Sequence, residues 1–190
     1  MRLGIVHHYG WAVAVTATTD HHVVDRRRLE LIEPDLPAAP VHHEGGAHEL
    51  HGSAGPPSDT ELADLVARVR ASIERAGATS LDQLATSLPG PIESVHLRGW
   101  PADLPDDIAV LRRAPWESRV DSYRYCQVLA ELARRRGWNV RTYDARDVLA
   151  RATAALGDRA DEVLSVGPRR RLGPPWTKDH RLALAATVVD

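Results

Sequence analysis

Histidine is the residue type with the clearest chemical potential in this sequence. Six of the 10 histidines stand in adjacent pairs, namely His7-His8, His21-His22 and His42-His43. An imidazole can exchange protons near neutral pH, and it is also a ligand for first-row metals such as Zn²⁺ or Mn²⁺. We therefore consider His7 and His8 candidate catalytic residues, whereas His21-His22 is interpreted as a turn.

The segment from His42 to His51 concentrates metal ligands. It contains four imidazoles and two carboxylates within ten residues, and we take His42, His43 and His48 as candidate ligands of Zn or Mn. Their spacing differs from the His-Glu-x-x-His motif that binds zinc on a helix. A solvated loop without a metal is therefore the alternative interpretation of this segment.

Arginine gives a second chemical signal, the recognition of phosphate. A guanidinium group matches the oxygens of a phosphate, and a neighbouring indole can stack on a base or a sugar. Solvated surface charge is the alternative for each run of arginines. The candidate ligand-binding residues are Arg98, Arg112, Arg113, Arg169, Arg170 and Trp176.

Asp179 and His180 are further candidate catalytic residues, near the end of the chain. A carboxylate can orient an imidazole for proton transfer, but neighbouring residues on a helix point about 100° apart. That angle disfavours a direct pair between these two side chains. The lone cysteine, Cys126, is flanked by apolar residues at helical spacing and is predicted to belong to the core.

Length, composition and charge limit the classes of protein to which this sequence can belong. A chain of 190 residues with 43% hydrophobic and 26% charged residues is predicted to form a single domain over 1–190. The net charge of -2 provides no global field that would attract nucleic acid, so any site for a polyanion has to be local. One cysteine excludes an internal disulfide, and no apolar run is long enough to span a bilayer, which together predict a cytoplasmic protein without a membrane partner.

The first part of the chain has the pattern of an antiparallel meander. Short apolar runs rich in β-branched residues predict three strands over Leu3–Val6, Trp11–Thr18 and Val23–Ile32. Residues 33–57 are rich in proline, glycine and histidine without an apolar period, which predicts a long loop.

Helices and further strands follow this loop. Ser58 and Glu61 form a capping box for a helix that is predicted to end at Gly77, before a short helix over 81–88. The other predicted strands cover 92–98, 138–143 and, as a short element, 108–111. The remaining predicted helices cover 117–136, a segment ending near 157, and 178–189, with a linker at 167–175.

This order of elements resembles the ribonuclease H-like fold. The stretch Leu3-Gly4-Ile5 followed by Trp11 to Val15 is similar to the first hairpin of Holliday-junction resolvases and related transposases. The stretch Lys178 to Ala185 is similar to their last helix, in which an acidic residue precedes an Ala- and Leu-rich run. The resemblance implies an α/β fold with a mixed five-stranded sheet, made of a three-stranded antiparallel meander and two parallel strands and flanked by helices. It also makes nucleic acid or a nucleotide a candidate partner.

The resemblance implies a metal site whose ligands are only partly present. The family places carboxylates on the first strand, a middle element and the last helix, where they hold two divalent metals against a phosphodiester. Here Val6 and Arg98 stand where carboxylates are expected, while Glu61 and Asp179 could fill two other positions. Because an aliphatic side chain cannot ligate a metal, we expect the catalytic positions of the family to be degenerate.

Three functional hypotheses follow. The leading one is a phosphate-bearing ligand or nucleic acid bound in a cleft lined by histidine and arginine, since His7-His8 and His42-His43 should emerge at the same end of the sheet. The second is a phosphodiesterase or nuclease that depends on Zn or Mn held by histidines. The third is a noncatalytic interaction protein that forms a homodimer.

Overall fold

The computed structural model describes residues 1–45 and 55–189, and a mixed five-stranded sheet lies at its centre. Three strands form the predicted antiparallel meander: β1 (Arg2–His7), β2 (Trp11–Ala17) and β3 (Val23–Glu30). Two more strands, β4 (Ser94–Arg98) and β5 (Asn139–Tyr143), run parallel to β1. The spatial order is β3-β2-β1-β4-β5, which is the order of the ribonuclease H-like fold, so the predicted fold class is confirmed.

Helices connect and cover these strands. The α-helices are α1 (Asp59–Ser87), α2 (Ile108–Leu111), α3 (Val120–Arg135), α4 (Val148–Leu156), α5 (Gly167–Leu172) and α6 (Lys178–Val188). Shorter turns are π-helical over Pro40–Gly45 and Glu162–Val166, and 3-10 helical over Gly157–Arg159. Within the described ranges, no helix is both long enough and apolar enough to cross a membrane.

The sheet separates two apolar cores because side chains along a strand alternate between its faces. Leu3 and Ile5 of β1 belong to the core that includes residues of α1 and α3. On the opposite face, Val13 and Val15 of β2 pack with α4 and α6. Helices therefore lie on both sides of the central strand, and each helix layer can contribute side chains at the end of that strand.

Close packing between β1 and α6 depends on Gly4. A Cβ atom at this position would lie 1.8 Å from the carbonyl oxygen of Ala183 in α6. Backbone atoms at that distance cannot move aside unless the whole helix moves, so glycine allows the two elements to approach this closely. The contact places the last helix directly against the central strand.

The prediction that a helix ends at Gly77 is wrong, because α1 continues to Ser87. The capping box predicted at its start is confirmed, since the side chains of Ser58 and Glu61 each accept a hydrogen bond from the other residue's backbone N–H. Gly77 lies at the contact with α3, where a Cβ atom would meet Cδ1 of Leu132 at 3.1 Å. Burial of residues on both sides of Gly77 outweighs the low helix propensity of glycine.

Three shorter predictions also need correction. Residues 108–111 form helix α2 and not a strand, with Asp107 as its N-cap. The segment predicted as a linker contains α5, and the loop predicted over 33–57 contains the π-helical turn Pro40–Gly45. Such short turns have too few residues for an apolar period to show. Part of the predicted loop, residues 46–54, lies outside the described residues.

Candidate anion-binding cleft

A cleft of about 400 Å³ opens at the edge of the sheet where β1, β4 and β5 end. Parallel strands end on the same edge of a sheet, and open α/β sheets commonly bind ligands there. Helix α3 begins beside this edge and contributes its first turn. The residues that line the cleft are His7, His8, Tyr9, Arg98, Ser118, Arg119, Ser122, Tyr123 and Arg146.

The two histidines at the end of β1 bond to different helices. Successive side chains of an extended strand point to opposite faces of the sheet. Nε2 of His7 lies 2.8 Å from Oγ of Ser122 on α3, whereas Nε2 of His8 lies 3.0 Å from Oδ2 of Asp179 on α6. The adjacent pair therefore provides two imidazoles in two different environments.

His7 is buried, and its imidazole is neutral at neutral pH. Its pKa falls from 6.5 to about 4, mainly because of burial and also because of the charges of Arg98 and His8. Nδ1 of His7 also lies 3.5 Å from Sγ of Cys126, and burial raises the pKa of that thiol to about 12. The two groups are thus a neutral imidazole and a neutral thiol, which agrees with a core position for Cys126. His7 contributes hydrogen bonding to the cleft and no positive charge.

His8 is held by a carboxylate and by an aromatic ring. Besides its hydrogen bond to Asp179, its ring stacks on Trp11, with centroids 4.2 Å apart and 16° between the planes. The guanidinium carbon of Arg28 lies 4.1 Å from the centroid of the Trp11 ring. These contacts orient the imidazole of His8 and leave Nδ1 as the ring nitrogen that Asp179 does not engage.

Three arginines, Arg98, Arg119 and Arg146, give the cleft its charge. Arg98 ends β4, Arg119 immediately precedes α3, and Arg146 follows β5. Within residues 1–45 and 55–189, their guanidinium groups have no hydrogen-bond or ion-pair partner. No Asp or Glu is among the described residues that line the cleft. The cleft is therefore positively charged and rich in N–H donors.

The second histidine pair lies next to the cleft without lining it. The rings of His42 and His43 lie 6.3 and 5.9 Å from the ring of Tyr9, measured between centroids. The backbone N–H of His42 donates to Oδ2 of the buried Asp121 at 2.9 Å. The two pairs are thus at the same end of the sheet and are linked through Tyr9, while His7 and His8 form the cleft itself.

The side chains of the cleft do not fit a two-metal site. In the part of the chain that the structure describes, no group of three or more His, Cys, Asp or Glu could hold a metal ion. Val6 is aliphatic, the carboxylate of Glu61 caps α1, and the carboxylate of Asp179 bonds to His8. Imidazole, hydroxyl and guanidinium groups are poor ligands for Mg²⁺, so the described side chains of the cleft do not provide a site for this ion. The predicted Zn or Mn ligand His48 lies outside the described residues.

Arg112 and Arg113, predicted to bind a ligand, do not line the cleft. The guanidinium of Arg112 donates to the carbonyl oxygen of Gly45 at 2.9 Å and to the carboxylate of Asp59 at 2.5 Å. These bonds link the region of α2 to the turn over Pro40–Gly45 and to the start of α1. The side chain of Arg113 is exposed.

The predicted residues of the α5 region also lie apart from the cleft. Arg170 pairs with Glu162 at 2.6 Å, and Arg169 is exposed. Nε1 of Trp176 donates to the carbonyl oxygen of Leu164 at 2.8 Å. This bond fixes the indole against the neighbouring π-helical turn, so Trp176 has a packing role in this region.

Asp179 and His180 point in different directions, as their helical positions require. Asp179 reaches His8 at the mouth of the cleft. Nδ1 of His180 accepts a hydrogen bond from the backbone N–H of Thr177 at 3.2 Å and so caps the start of α6. His180 therefore stabilises the helix that carries Asp179 and does not line the cleft.

The sequence-based prediction missed six residues of the cleft: Tyr9, Ser118, Arg119, Ser122, Tyr123 and Arg146. Arg146 follows a predicted parallel strand by three residues, and Arg119 lies near the start of a predicted helix. The rule that parallel strands and their following helices meet at one edge could have identified both arginines. Ser122 and Tyr123 had no such signal, because which side of α3 faces the cleft depends on the packing of the whole helix.

The chain is similar to solved structures at low sequence identity. No family model matches it, and no curated protein matches it. One similar solved structure is Thermus thermophilus RuvC in complex with a Holliday junction substrate. The alignment covers 98% of this chain and 89% of that RuvC chain, with 13% sequence identity and a TM-score of 0.46. A second structure of RuvC from the same organism is also similar. The alignment covers 98% of this chain and 90% of that RuvC chain, with 14% sequence identity and a TM-score of 0.40.

Proposed function

We propose that the cleft binds a phosphate group of a nucleotide or of a nucleic-acid strand. The proposal rests on Arg98, Arg119 and Arg146, whose guanidinium groups have no partner among the described residues. They share a cleft that no described residue lines with a carboxylate. Guanidinium groups bind phosphate oxygens through charge-assisted hydrogen bonds, often two at a time. A bound phosphate would satisfy N–H donors that the described part of the protein leaves without acceptors.

The size and charge of the site favour a small ligand or the end of a strand. A volume of about 400 Å³ lies within the range of roughly 300–1,000 Å³ that is typical of small-molecule sites. The hydroxyl of Ser122 and the neutral imidazole of His7 add hydrogen-bonding groups beside the arginines. Proteins that bind long duplexes usually have an extended basic surface, whereas this chain has a net charge of -2.

Binding of two simple probes tests the proposal: inorganic pyrophosphate by titration calorimetry, and a short fluorescein-labelled single-stranded oligonucleotide by anisotropy. Arg119→Gln removes one guanidinium group and should weaken both interactions about 10- to 100-fold, as expected for hydrogen bonds to a charged group. Arg135→Gln is the matched control, because Arg135 is exposed at the other end of the same helix. The control should change either affinity by less than about 2-fold.

Two results would contradict phosphate binding in this cleft. One is equal weakening in Arg119→Gln and Arg135→Gln, which would mean that the overall charge attracts the probes and that the cleft does not. The other is an absence of binding of both probes to the wild-type protein at low ionic strength, where phosphate contacts are strongest.

A second candidate function is acid–base catalysis on the bound phosphate ester by His8. It is favoured by the hydrogen bond of 3.0 Å between Nε2 of His8 and the carboxylate of Asp179, at a residue that lines the cleft. A carboxylate partner orients an imidazole for proton transfer. Nδ1 of His8 would then be the atom that exchanges a proton with the ester or with water.

Hydrolysis of bis(4-nitrophenyl) phosphate tests this second function. His8→Gln and Asp179→Asn should each reduce the rate about 100-fold, in the range of general acid–base contributions. His22→Gln is the control, because His22 is exposed and outside the cleft. If the wild-type rate does not exceed the uncatalysed rate, the catalytic function is rejected, and phosphate binding is judged by the probe titrations alone.

A further inference from the structure

A second cavity, of about 450 Å³, adjoins the cleft and shares Arg98, Tyr123 and Arg146 with it. We call the cleft the phosphate chamber and the adjoining cavity the second chamber. The part of the second chamber that is not shared includes Trp100 and Asp144, whose chemistry differs from that of the phosphate chamber. Because the shared side chains border both cavities, a ligand held in one can extend into the other.

The second chamber is formed at the ends of two neighbouring parallel strands. Arg98 and Tyr143 are register partners at the ends of β4 and β5. The backbone N–H of Gly99 then donates to the carbonyl oxygen of Tyr143 at 2.9 Å, which keeps the two chain segments together beyond the sheet. The residues that come next, Trp100 and Asp144, are therefore placed on the same edge.

Contacts within the protein position both residues. Trp100 is half-buried and packs against the core on the α1 and α3 side of the sheet. Oδ1 of Asp144 accepts the backbone N–H of Arg146 at 2.9 Å, while the residue remains exposed. Each carboxylate oxygen has two lone pairs, so Asp144 can accept further hydrogen bonds from a ligand.

The two chambers would attract different parts of one molecule. Asp144 repels a second phosphate and accepts hydrogen bonds from N–H groups. The indole of Trp100 provides a ring on which a planar heterocycle can stack. A stacking ring beside a carboxylate suits a nucleobase, and the neighbouring arginines suit the phosphate that a nucleotide carries.

We propose that the ligand is a nucleotide whose base occupies the second chamber, where it stacks on Trp100 and donates hydrogen bonds to the carboxylate of Asp144. This proposal rests on the proposed function of the phosphate chamber. Guanine is the best match, because its ring N–H and its amino group lie side by side and can donate to both oxygens of one carboxylate. The corresponding edge of adenine has one amino group beside an acceptor nitrogen, which a carboxylate repels. Guanine nucleotides should therefore bind more tightly than adenine nucleotides.

Calorimetric titrations with GDP, ADP and inorganic pyrophosphate test the role of the base separately from that of the phosphates. The wild-type protein should bind GDP about 10-fold more tightly than ADP or pyrophosphate, as expected for added hydrogen bonds to a charged group. Asp144→Asn should abolish the preference for GDP over ADP and leave the affinity for pyrophosphate unchanged or higher. Asp158→Asn changes an exposed carboxylate outside both chambers and should retain the preference.

Replacement of Trp100 gives an independent readout. Trp100→Leu should reduce the advantage of GDP over pyrophosphate, and retained pyrophosphate binding reports that the variant is folded. If the wild-type protein binds GDP, ADP and pyrophosphate equally, and Arg119→Gln weakens all three, the base assignment is overturned while phosphate binding stands. If none of the three binds to the wild-type protein, both proposals are overturned.

Discussion

Replacing His7 with glutamine should change how the free energy of unfolding depends on pH. His7 is 9% exposed, and burial is the main reason that its pKa falls from 6.5 to about 4. Between these values the unfolded chain binds a proton that the folded chain does not, so the contribution of His7 to stability falls as the pH decreases from 6.5 to about 4. At 1.36 kcal/mol per pKa unit, this loss is on the order of 3 kcal/mol.

Asp121 has the opposite effect on stability. It is 2% exposed, and burial raises its pKa from 3.8 to about 6, although the backbone N–H of His42 and the charge of Arg124 act in the other direction. Between these values the folded chain holds the extra proton, so the contribution of Asp121 falls as the pH rises. The loss is again on the order of 3 kcal/mol. The effects of the two residues should nearly cancel in the wild-type protein.

Urea unfolding at several pH values between about 4 and 7 measures this cancellation. Relative to the wild type at each pH, His7→Gln should lose stability as the pH rises from about 4 to 6, because only the effect of Asp121 remains. Asp121→Asn should gain stability relative to the wild type over the same range. In the double variant, residues 7 and 121 should no longer contribute to the pH dependence of the free energy of unfolding. Titratable groups that all variants share contribute equally to each free energy of unfolding, so their contributions cancel when a variant is compared with the wild type at the same pH. Parallel pH profiles for His7→Gln and the wild type would refute the assignment of a buried, neutral imidazole.

Four other changes have defined expected results. Gly4→Ala should lower the free energy of unfolding by about 3 kcal/mol or more, because a Cβ atom would overlap the carbonyl oxygen of Ala183. Thermal unfolding measures this loss, and a smaller loss would mean that α6 can shift. Gly77→Ala should change stability by less than about 1 kcal/mol, since its contact at 3.1 Å is with the flexible end of a leucine and alanine favours the helix. Ser58→Ala should cost about 1 kcal/mol in the same assay by removing the capping box, and no loss would contradict that role. Cys126 should react with a disulfide reagent only as fast as the chain unfolds, because it is buried and its pKa is raised to about 12; rapid labelling of the native protein would contradict its core position.

Part of the candidate site could be predicted from the sequence because strand ends are local features. The pattern of apolar residues places His7 and His8 after the first strand and Arg98 at the end of the fourth, and all three line the cleft. Ser122 and Tyr123 could not be predicted as part of the same site. Which side of α3 faces the cleft depends on how this helix packs on the sheet, and no local pattern contains that information.

The amino-acid sequence by itself determined the type and order of most elements, because apolar periodicity and capping act between residues that are close in the chain. The three-stranded meander, the capping box at Ser58 and the end of α3 before Gly137 are of this kind. The tertiary structure alone decided that α1 continues through Gly77 and that His7 and His8 bond to different helices. Those outcomes depend on burial and on contacts between distant segments, and such contacts exist only once the helices have packed on the sheet.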